Sequence, residues 1–203
     1  MNLRTLITSA LLLGAAAAGA RTPAEIFTSA PDSVFPLFSA NARMDMADYY
    51  RYGLANSTNN QFGEPSRITG GGDCDLTIQA GASSSLQVAV LPQRQDTVVA
   101  VVETVLTPQA DSGIRFYRLS DWKPVIPKNA QPSASDFLTD EGRSKGLPPM
   151  FFMKIEYLPE EGVFLFSNTS GGYYAGEEAE DMERRLLPSL KRRFDGKSWK
   201  NAD

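Results

Sequence analysis

The chain changes its pattern of apolar and polar residues near residue 66. Between residues 22 and 53 the apolar residues recur at the spacing of a helix, whereas after residue 66 they alternate with polar residues, as in a half-buried strand. The first part predicts a short helix or turn over residues 24–29 and a longer helix over residues 41–52. A polar, turn-forming loop over residues 55–65 separates these helices from the strands.

The segment from Asn41 to Gly53, with the sequence NARMDMADYYRYG, predicts an amphipathic helix. Asn41 is a favourable N-cap, and Gly53 suits the left-handed residue that follows a helix. One stripe of this helix follows the spacing i, i+4, i+7, i+8 and i+11. It consists of Ala42, Met46, Tyr49, Tyr50 and Gly53. We expect the stripe to pack on a sheet. Asp45, Asp48 and Tyr52 then lie on the other flank. Ahead of this helix, the sequence PDS at residues 31–33 predicts a break and a helix cap.

Alternation predicts the strands that follow. Every second residue is apolar over residues 74–80, and the pattern continues over residues 86–90 and returns over residues 112–119. The first of these strands places Cys74 on its apolar face as a buried thiol. Residues 98–106 are apolar on both faces up to the first acidic residue, which predicts a central strand.

The rest of the chain predicts a connector, a hairpin, a helix and two short strand arms. Residues 121–149 are rich in Pro, Ser and Lys and form the connector. Strands over residues 150–158 and 163–168 join through the turn sequence PEEG. In residues 177–187 acidic residues come first and arginines follow, an order that matches a helix dipole. Residues 191–200 form the two arms.

Together these elements predict an α+β fold. We expect a mostly antiparallel sheet of about six to eight strands, with the N-terminal helices and the single C-terminal helix packed on one face. Short similarities link VVAVVET (98–104) to VFLFSNT (163–169) and YRLSDWK (117–123) to RRFDGKSWK (192–200). They indicate either an internal duplication or the common composition of strands.

The first twenty residues form a predicted signal peptide. Arg4 precedes an apolar run from Leu6 to Ala18, and small residues end the segment at Ala20, where we expect cleavage. The apolar run is short for a membrane span. We therefore expect an exported protein of the periplasm or cell envelope, soluble after cleavage and without a transmembrane segment. Residues 21–203 would then form a single α+β domain.

Composition excludes several classes of function. The formal net charge is −4, and it becomes −5 when cleavage removes Arg4, so nucleic acid is a poor candidate partner. Histidine is absent, which excludes Ser-His-Asp and Cys-His catalytic sets and histidine metal sites. Cys74 is the only cysteine, so an internal disulfide cannot form. We predict no catalytic residue set, no cofactor and no metal site.

Five residues are candidates for binding a partner. In one interpretation, a cation or a sugar binds to Asp45, Asp48 and Tyr52. In the other, these side chains are only solvated, and Asp48 lies near an arginine. Trp122 and Trp199, which both neighbour lysines, are either carbohydrate platforms or half-buried anchors at a sheet edge. The glycine-rich sequence GGGDCD lacks the lysine and the following helix of a phosphate loop and predicts a turn. The acidic run from residue 177 predicts a solvated helix start.

The motifs PDSVFPLF, RMDMADYYRYG, LQVAVLP, VVAVVETVLTP and ADSGIRFY occur in this order along the chain. In this set the sequence resembles a Bacteroidales family of uncharacterised exported proteins, catalogued as domain of unknown function 3256. The resemblance runs from about Ile26 to Trp122 and more loosely to Trp199. It implies a periplasmic or outer-envelope location and supplies no established activity, ligand or functional residue. DSV at residues 32–34 and DTV at residues 96–98 also resemble the O-glycosylation sites of such bacteria, at Ser33 and Thr97.

Three functions are compatible with these observations. The leading hypothesis is an exported, non-enzymatic envelope module that binds a protein or glycan partner. One alternative is a carboxylate-based periplasmic glycan hydrolase that uses acids such as Asp45, Asp48 or Asp111, and it requires two carboxyl groups about 5 to 10 Å apart at a groove. The other is a structural subunit of an envelope assembly.

Overall fold

The structure, a computed structural model, describes residues 21–93, 96–129, 131–195 and 197–202. The predicted signal peptide therefore lies outside the described residues. In the described ranges the chain contains the helices α1 (Pro23–Ser29), α2 (Ala40–Arg51), α3 (Asp140–Lys145) and α4 (Glu177–Arg185). None of the helices in these ranges is long and apolar enough to cross a membrane.

The strands of the described residues form two antiparallel sheets. The large sheet is a meander in chain order of β1 (Thr58–Asn59), β2 (Pro65–Gly71), β3 (Asp75–Gln79), β4 (Ser84–Pro92), β5 (Thr97–Val105), β6 (Asp111–Arg118) and β7 (Pro124–Val125). The small sheet has the order β11-β10-β9-β8 and consists of β8 (Met153–Leu158), β9 (Val163–Asn168), β10 (Ser189–Phe194) and β11 (Trp199–Asn201). The α+β class and the antiparallel pairing are confirmed. The expectation of one sheet is wrong, because the strands after residue 150 pair only with one another.

The ends of α2 show how local sequence sets a helix. Its N-cap is Ser39, whose hydroxyl accepts a hydrogen bond from the Ala42 amide at 3.2 Å, so the helix begins before the predicted cap Asn41. At the other end Gly53 has φ +64°, as predicted for the left-handed residue after a helix. The amide of Leu54 donates to the Tyr49 carbonyl at 2.8 Å, and this bond closes the helix end.

The buried face of α2 differs from the predicted stripe. Ala42 and Met46 are buried as expected, but Arg43 and Ala47 are buried beside them, and Tyr50 is largely exposed. Arg43 is only 1% exposed. Its guanidinium donates to the carbonyls of Phe38 and Ala30, each at 2.8 Å, and pairs with the Asp32 carboxylate at 2.9 Å. Asp32 therefore holds this arginine instead of capping a helix, and residues 32–38 form turns.

Two hydrophobic cores lie on opposite faces of the large sheet. On one face α1, α2 and the turns between them pack against the sheet, with Val99 and Val101 of β5 beneath them. Val98, Ala100 and Val102 point to the other face, where the small sheet covers them. Strand β5 is thus the central strand that its two apolar faces predict.

Helix α4 packs in the second core and not beside α1 and α2. Its residue Met182 is buried among residues of the small sheet. The prediction that all helices share one face is therefore wrong. The reason is chain order, since α4 lies between β9 and β10 and is thereby tied to the small sheet.

Strand β8, an edge strand of the small sheet, packs across the large sheet. Three of its amides are satisfied by side chains of that sheet: Met153 donates to Asp111 Oδ1 at 3.2 Å, Ile155 to Ser112 Oγ at 3.0 Å and Tyr157 to Gln87 Oε1 at 2.7 Å. Unpaired edge amides invite pairing with another chain. These contacts therefore both protect the edge and fix the position of one sheet on the other.

The substitution Ser112→Ala is expected to lower the free energy of unfolding by about 1–3 kcal/mol, because it leaves the buried Ile155 amide without its acceptor. The Ser112 hydroxyl also bonds to the Thr104 hydroxyl at 2.8 Å. Denaturant-induced unfolding measures the change as a shift of the midpoint. The exposed Ser189 gives the matched control, and Ser189→Ala should have almost no effect. If the two variants lowered the free energy of unfolding equally, Ser112 would not be holding the small sheet on the large sheet.

The two sheets contain comparable strand sequences. Strands β4 to β7 and β8 to β11 are both four-stranded antiparallel meanders. The similar segments noted above fall on β5 and β9, and on the hairpins that follow β5 and β9 in chain order. These positions agree with an internal duplication, which stays a prediction.

Candidate functional site

The candidate residues of α2 lie on the protein surface. Asp45 and Asp48 are exposed, and Tyr52 is 70% exposed just beyond the helix end. Asp48 pairs with Arg51 at 3.7 Å, and an exposed pair of this kind contributes little to stability. Asp48 and Arg51 also line a shallow groove of about 290 Å³ between α1 and α2, with Met44 at its side. Thr28 and Ser29 add two hydroxyl groups to the lining.

The two candidate tryptophans are far apart in the fold. Trp122 is half-buried in the turn between β6 and β7, with φ +56°, and its ring centroid is 6.4 Å from that of Tyr117 in the first core. Trp199 is 7% exposed and belongs to the second core. Its ring contacts those of Phe116, Phe164, Phe166 and Phe194. Trp199 is therefore a core residue and presents no open platform to a sugar.

The acids named for hydrolysis do not converge. Asp45 and Asp48 lie on α2, which covers the first core, whereas the Asp111 carboxylate accepts a hydrogen bond from Met153 of the small sheet. The large sheet separates these positions. The structure thus does not bring these three residues to one groove.

Cys74 lies on the opposite face from the one predicted. Its neighbours Leu76 and Ile78 belong to the first core, but Cys74 is half-buried against the second core. Its Sγ is 3.9 Å from the Tyr157 hydroxyl, and burial together with the neighbouring thiol raises the pKa of Tyr157 to about 12. The alternation fails because β3 begins only at Asp75, after the predicted turn.

The predicted glycosylation positions differ in exposure. Ser33 is exposed in a turn in which the Val34 amide donates to the Pro31 carbonyl at 3.0 Å. Thr97 is partly buried at the first position of β5. Modification of either residue stays a prediction.

A groove beside α4 is a further candidate site. We call it the α4 groove, and it has a volume of about 340 Å³. It is lined by Pro149, Tyr174, Glu177, Glu178, Asp181, Met182 and Arg185. Helical spacing explains the helix side, since residues 178, 182 and 185 follow each other at i, i+4 and i+7. The sequence predicted a solvated helix start here. The two tyrosines just before the helix were the available signal for a site.

Hydrogen bonds hold both walls of the α4 groove. The Tyr174 hydroxyl accepts from the Met150 amide and donates to the Met150 carbonyl, both at 3.0 Å, and so fixes the wall that carries Pro149. On the other side Arg185 pairs with Asp181 at 3.0 Å and donates to the Gly146 carbonyl. The groove is therefore formed before any ligand binds.

The electrostatics of the α4 groove come from its carboxylates. Lys145 bonds to Asp181 at 2.7 Å, and with the Arg185 guanidinium it lowers the pKa of Asp181 to about 2. Asp181 is thus ionised at neutral pH and acts as a hydrogen-bond acceptor, not as a proton donor. Glu177 and Glu178 stand exposed at the rim. The described residues contain no group of three or more His, Cys, Asp or Glu arranged to hold a metal ion.

The groove presents an aromatic ring and a proline next to carboxylates. The rings offer apolar surface, and the carboxylates accept hydrogen bonds from hydroxyl, ammonium or guanidinium groups. Fold and groove together define an α+β protein with two packed antiparallel sheets and a surface groove beside α4.

The chain belongs to the family described as "Protein of unknown function (DUF3256)", which matches residues 15–199. This match confirms the family resemblance seen in the motifs. A solved structure described as a domain of an uncharacterized protein from Porphyromonas gingivalis W83 is similar to the chain, with a TM-score of 0.71. At 23% identity, the alignment covers 90% of this chain and 99% of that one. The likeness shows the shared fold, and its source organism agrees with a Bacteroidales family. No curated protein matches the chain.

Proposed function

We propose that this protein is an exported, non-enzymatic module of the cell envelope that binds a protein or glycan partner in the α4 groove. The observation that carries the proposal is the preformed groove, in which Tyr174 and Pro149 face the carboxylates of α4. The predicted signal peptide supports export to the periplasm or envelope.

The composition of the groove indicates the chemistry of the partner. Three carboxylates and one guanidinium line it, so it favours cationic groups and hydroxyls over anions. The Tyr174 ring supplies a surface against which a sugar ring or an apolar side chain packs. Because both walls are held by hydrogen bonds, little conformational entropy is lost on binding.

Binding accounts for these features better than glycan hydrolysis does. A glycosidase needs one carboxyl group that stays protonated until it donates to the leaving group. Asp181 has the opposite property, since its two cationic neighbours keep it ionised. Asp45 and Asp48 lie on α2, on the other side of the large sheet from Asp111.

The substitution pair Glu177→Gln and Glu178→Gln tests the groove directly. We expect the wild-type chain, immobilised after removal of residues 1–20, to retain a partner from envelope extracts of the native host or a ligand on a glycan array. The double variant should lose at least about tenfold in affinity for the same partner, because both rim carboxylates become neutral. Surface plasmon resonance with the recovered partner measures the difference.

Glu180→Gln with Glu183→Gln is the matched control. Both residues are exposed on α4 outside the groove, and the pair removes the same charge from the same helix. Retained binding in the control and loss in the test variant support the proposal. Equal binding by all three proteins places the partner elsewhere. Cleavage of an array glycan, lost in the test variant, would favour the hydrolase instead.

A further inference from the structure

Strand β6 is paired along its whole length on one side only. All eight of its residues, Asp111–Arg118, pair with β5. On the other side β7 covers only Phe116 and Tyr117. Among the described residues, the first part of β6 therefore has an edge to which no strand is paired through its backbone, although β8 crosses it and bonds to the side chains of Asp111 and Ser112.

The position of the open hydrogen-bonding groups follows from strand geometry. The Arg118 amide donates to the Lys123 carbonyl, toward β7, at 3.0 Å. In an antiparallel strand every second residue points its amide and carbonyl to the same side, so Ile114 also points to the β7 side. Its counterpart in the continued ladder would be Pro127, which has no amide hydrogen to donate. The ladder accordingly ends at Val125, and Ile114 has no backbone partner within the described ranges on this side.

An apolar pocket lies where the two strands part. We call it the β6 edge pocket, and its volume is about 320 Å³. It is lined by residues 114–117 of β6 and by Pro124, Val125, Ile126 and Pro127. Ile126 is 90% exposed beside the pocket, so its side chain is open to contact with a bound segment.

We propose that the β6 edge pocket binds an extended segment of a partner protein, which adds a strand beside Ser112–Ile114 and inserts one apolar side chain. Lys128 follows the apolar residues of the pocket along the chain, and Lys123, which pairs with Asp121 at 3.4 Å, precedes them. Charge complementarity therefore favours an acidic residue next to the inserted side chain. Backbone hydrogen bonds supply affinity in this mode of recognition, and the side-chain pocket supplies selectivity.

A single extended segment fits this edge better than a second copy of the chain. The open stretch is bounded by β7 at Phe116 and by the turn before Asp111. Two copies paired through β6 would place the β7 strand of each copy against residues 108–110 of the other. A lone peptide brings no such neighbouring strand. This site is separate from the α4 groove, and the proposal does not depend on that one.

Amide hydrogen exchange tests the open edge without a ligand. We expect the Ile114 amide to exchange at least about tenfold faster than the amides of Arg115 and Phe116, which point into ladders. NMR detection on the chain without residues 1–20 resolves the three sites. Equal protection of Ile114 and Phe116 would overturn the proposal.

The binding arm uses a pool of short capped peptides of alternating threonine and serine, with a central Leu, Val or Phe followed by Asp. We expect at least one peptide to bind more tightly than about 1 mM and to slow exchange of the Ile114 amide. Replacing the Asp of that peptide with Lys, or methylating the backbone nitrogen that pairs with Ile114, should weaken binding by at least about fivefold.

The protein variant Ile126→Ser should weaken peptide binding at least about tenfold, since it removes apolar surface from the pocket. Phe62→Ser is the matched control, because Phe62 is 83% exposed and lies outside the pocket. The proposal would be overturned if no peptide bound. It would also be overturned if Ile126→Ser or methylation of the peptide backbone left the affinity unchanged. Self-association in sedimentation velocity that Ile126→Ser abolishes would also overturn it, in favour of a second copy.

Discussion

Replacing Arg43 with alanine is expected to lower the free energy of unfolding by about 3–5 kcal/mol. Arg43 is a charged residue of α2 buried against the turns between α1 and α2, and it binds two carbonyls and one carboxylate. The substitution leaves the buried carbonyls of Phe38 and Ala30 without donors and opens a cavity. Denaturant-induced unfolding followed by circular dichroism measures the loss. Arg43→Lys should recover only part of it, because a lysine cannot reach three acceptors with a planar fork.

Two controls separate burial from charge in this prediction. Arg51→Ala removes an exposed arginine from the same helix and should change the free energy of unfolding by less than about 0.5 kcal/mol. Asp32→Asn removes the charge partner of Arg43, but Asp32 is 72% exposed, so its effect should be far smaller than that of Arg43→Ala. If Arg43→Ala and Arg51→Ala had equal effects, Arg43 would not be holding the turns between the helices.

Replacing Trp199 with alanine is expected to cost about 3–5 kcal/mol of unfolding free energy. Four phenylalanine rings surround Trp199, and their centroids lie 5.0 to 5.7 Å from that of its own ring. Phe116 belongs to the large sheet and the other three belong to the small sheet. The substitution therefore opens a cavity where the two sheets meet. A lowered unfolding midpoint and weakened near-ultraviolet circular dichroism are the expected measurements.

Trp122→Ala is the comparison for Trp199. Trp122 is half-buried at the rim of the first core. Its replacement by alanine should therefore lower the free energy of unfolding clearly less than Trp199→Ala does. Any glycan bound by the wild-type chain should still bind to Trp199→Ala under conditions in which that variant is folded. If Trp199→Ala lost glycan binding but kept its stability, Trp199 would be a carbohydrate platform and not a core residue.

Burial of Arg43 and Trp199 shows why residue type alone misleads about a site. Arg43 stands two residues before Asp45, and Trp199 stands beside Lys200, so the local sequence marks neither as a core residue. Arg43 is buried because acceptors from residues 30, 32 and 38 converge on it. Trp199 is buried because β11 pairs with β10, which places its ring among three phenylalanines of the small sheet and Phe116 of the large sheet. Both causes are tertiary contacts, which no single helix or strand reveals by itself.

The α4 groove illustrates the same division. Sequence reasoning located the acidic helix start, and the charge order along α4 agreed with the helix dipole. The opposite wall comes from Pro149 and is held by the bond between Tyr174 and Met150, residues separated by the whole β8–β9 hairpin. The edge pocket likewise depends on which strand stops beside β6. The α4 groove, whose lining runs from Pro149 to Arg185, is not visible in a single stretch of sequence.

The sequence by itself determined the features that depend on neighbouring residues. These are the α+β class, the central strand β5, the β8–β9 hairpin, the left-handed Gly53 and the family to which the chain belongs. Helix caps, turns and alternation act over a few residues and can be read from local pattern. Only the tertiary structure decided that the strands form two sheets, that α4 lies across from α1 and α2, and where charged and aromatic residues are buried. Sheet partners and core contacts join residues far apart in the chain, and their geometry is fixed only when the whole chain packs.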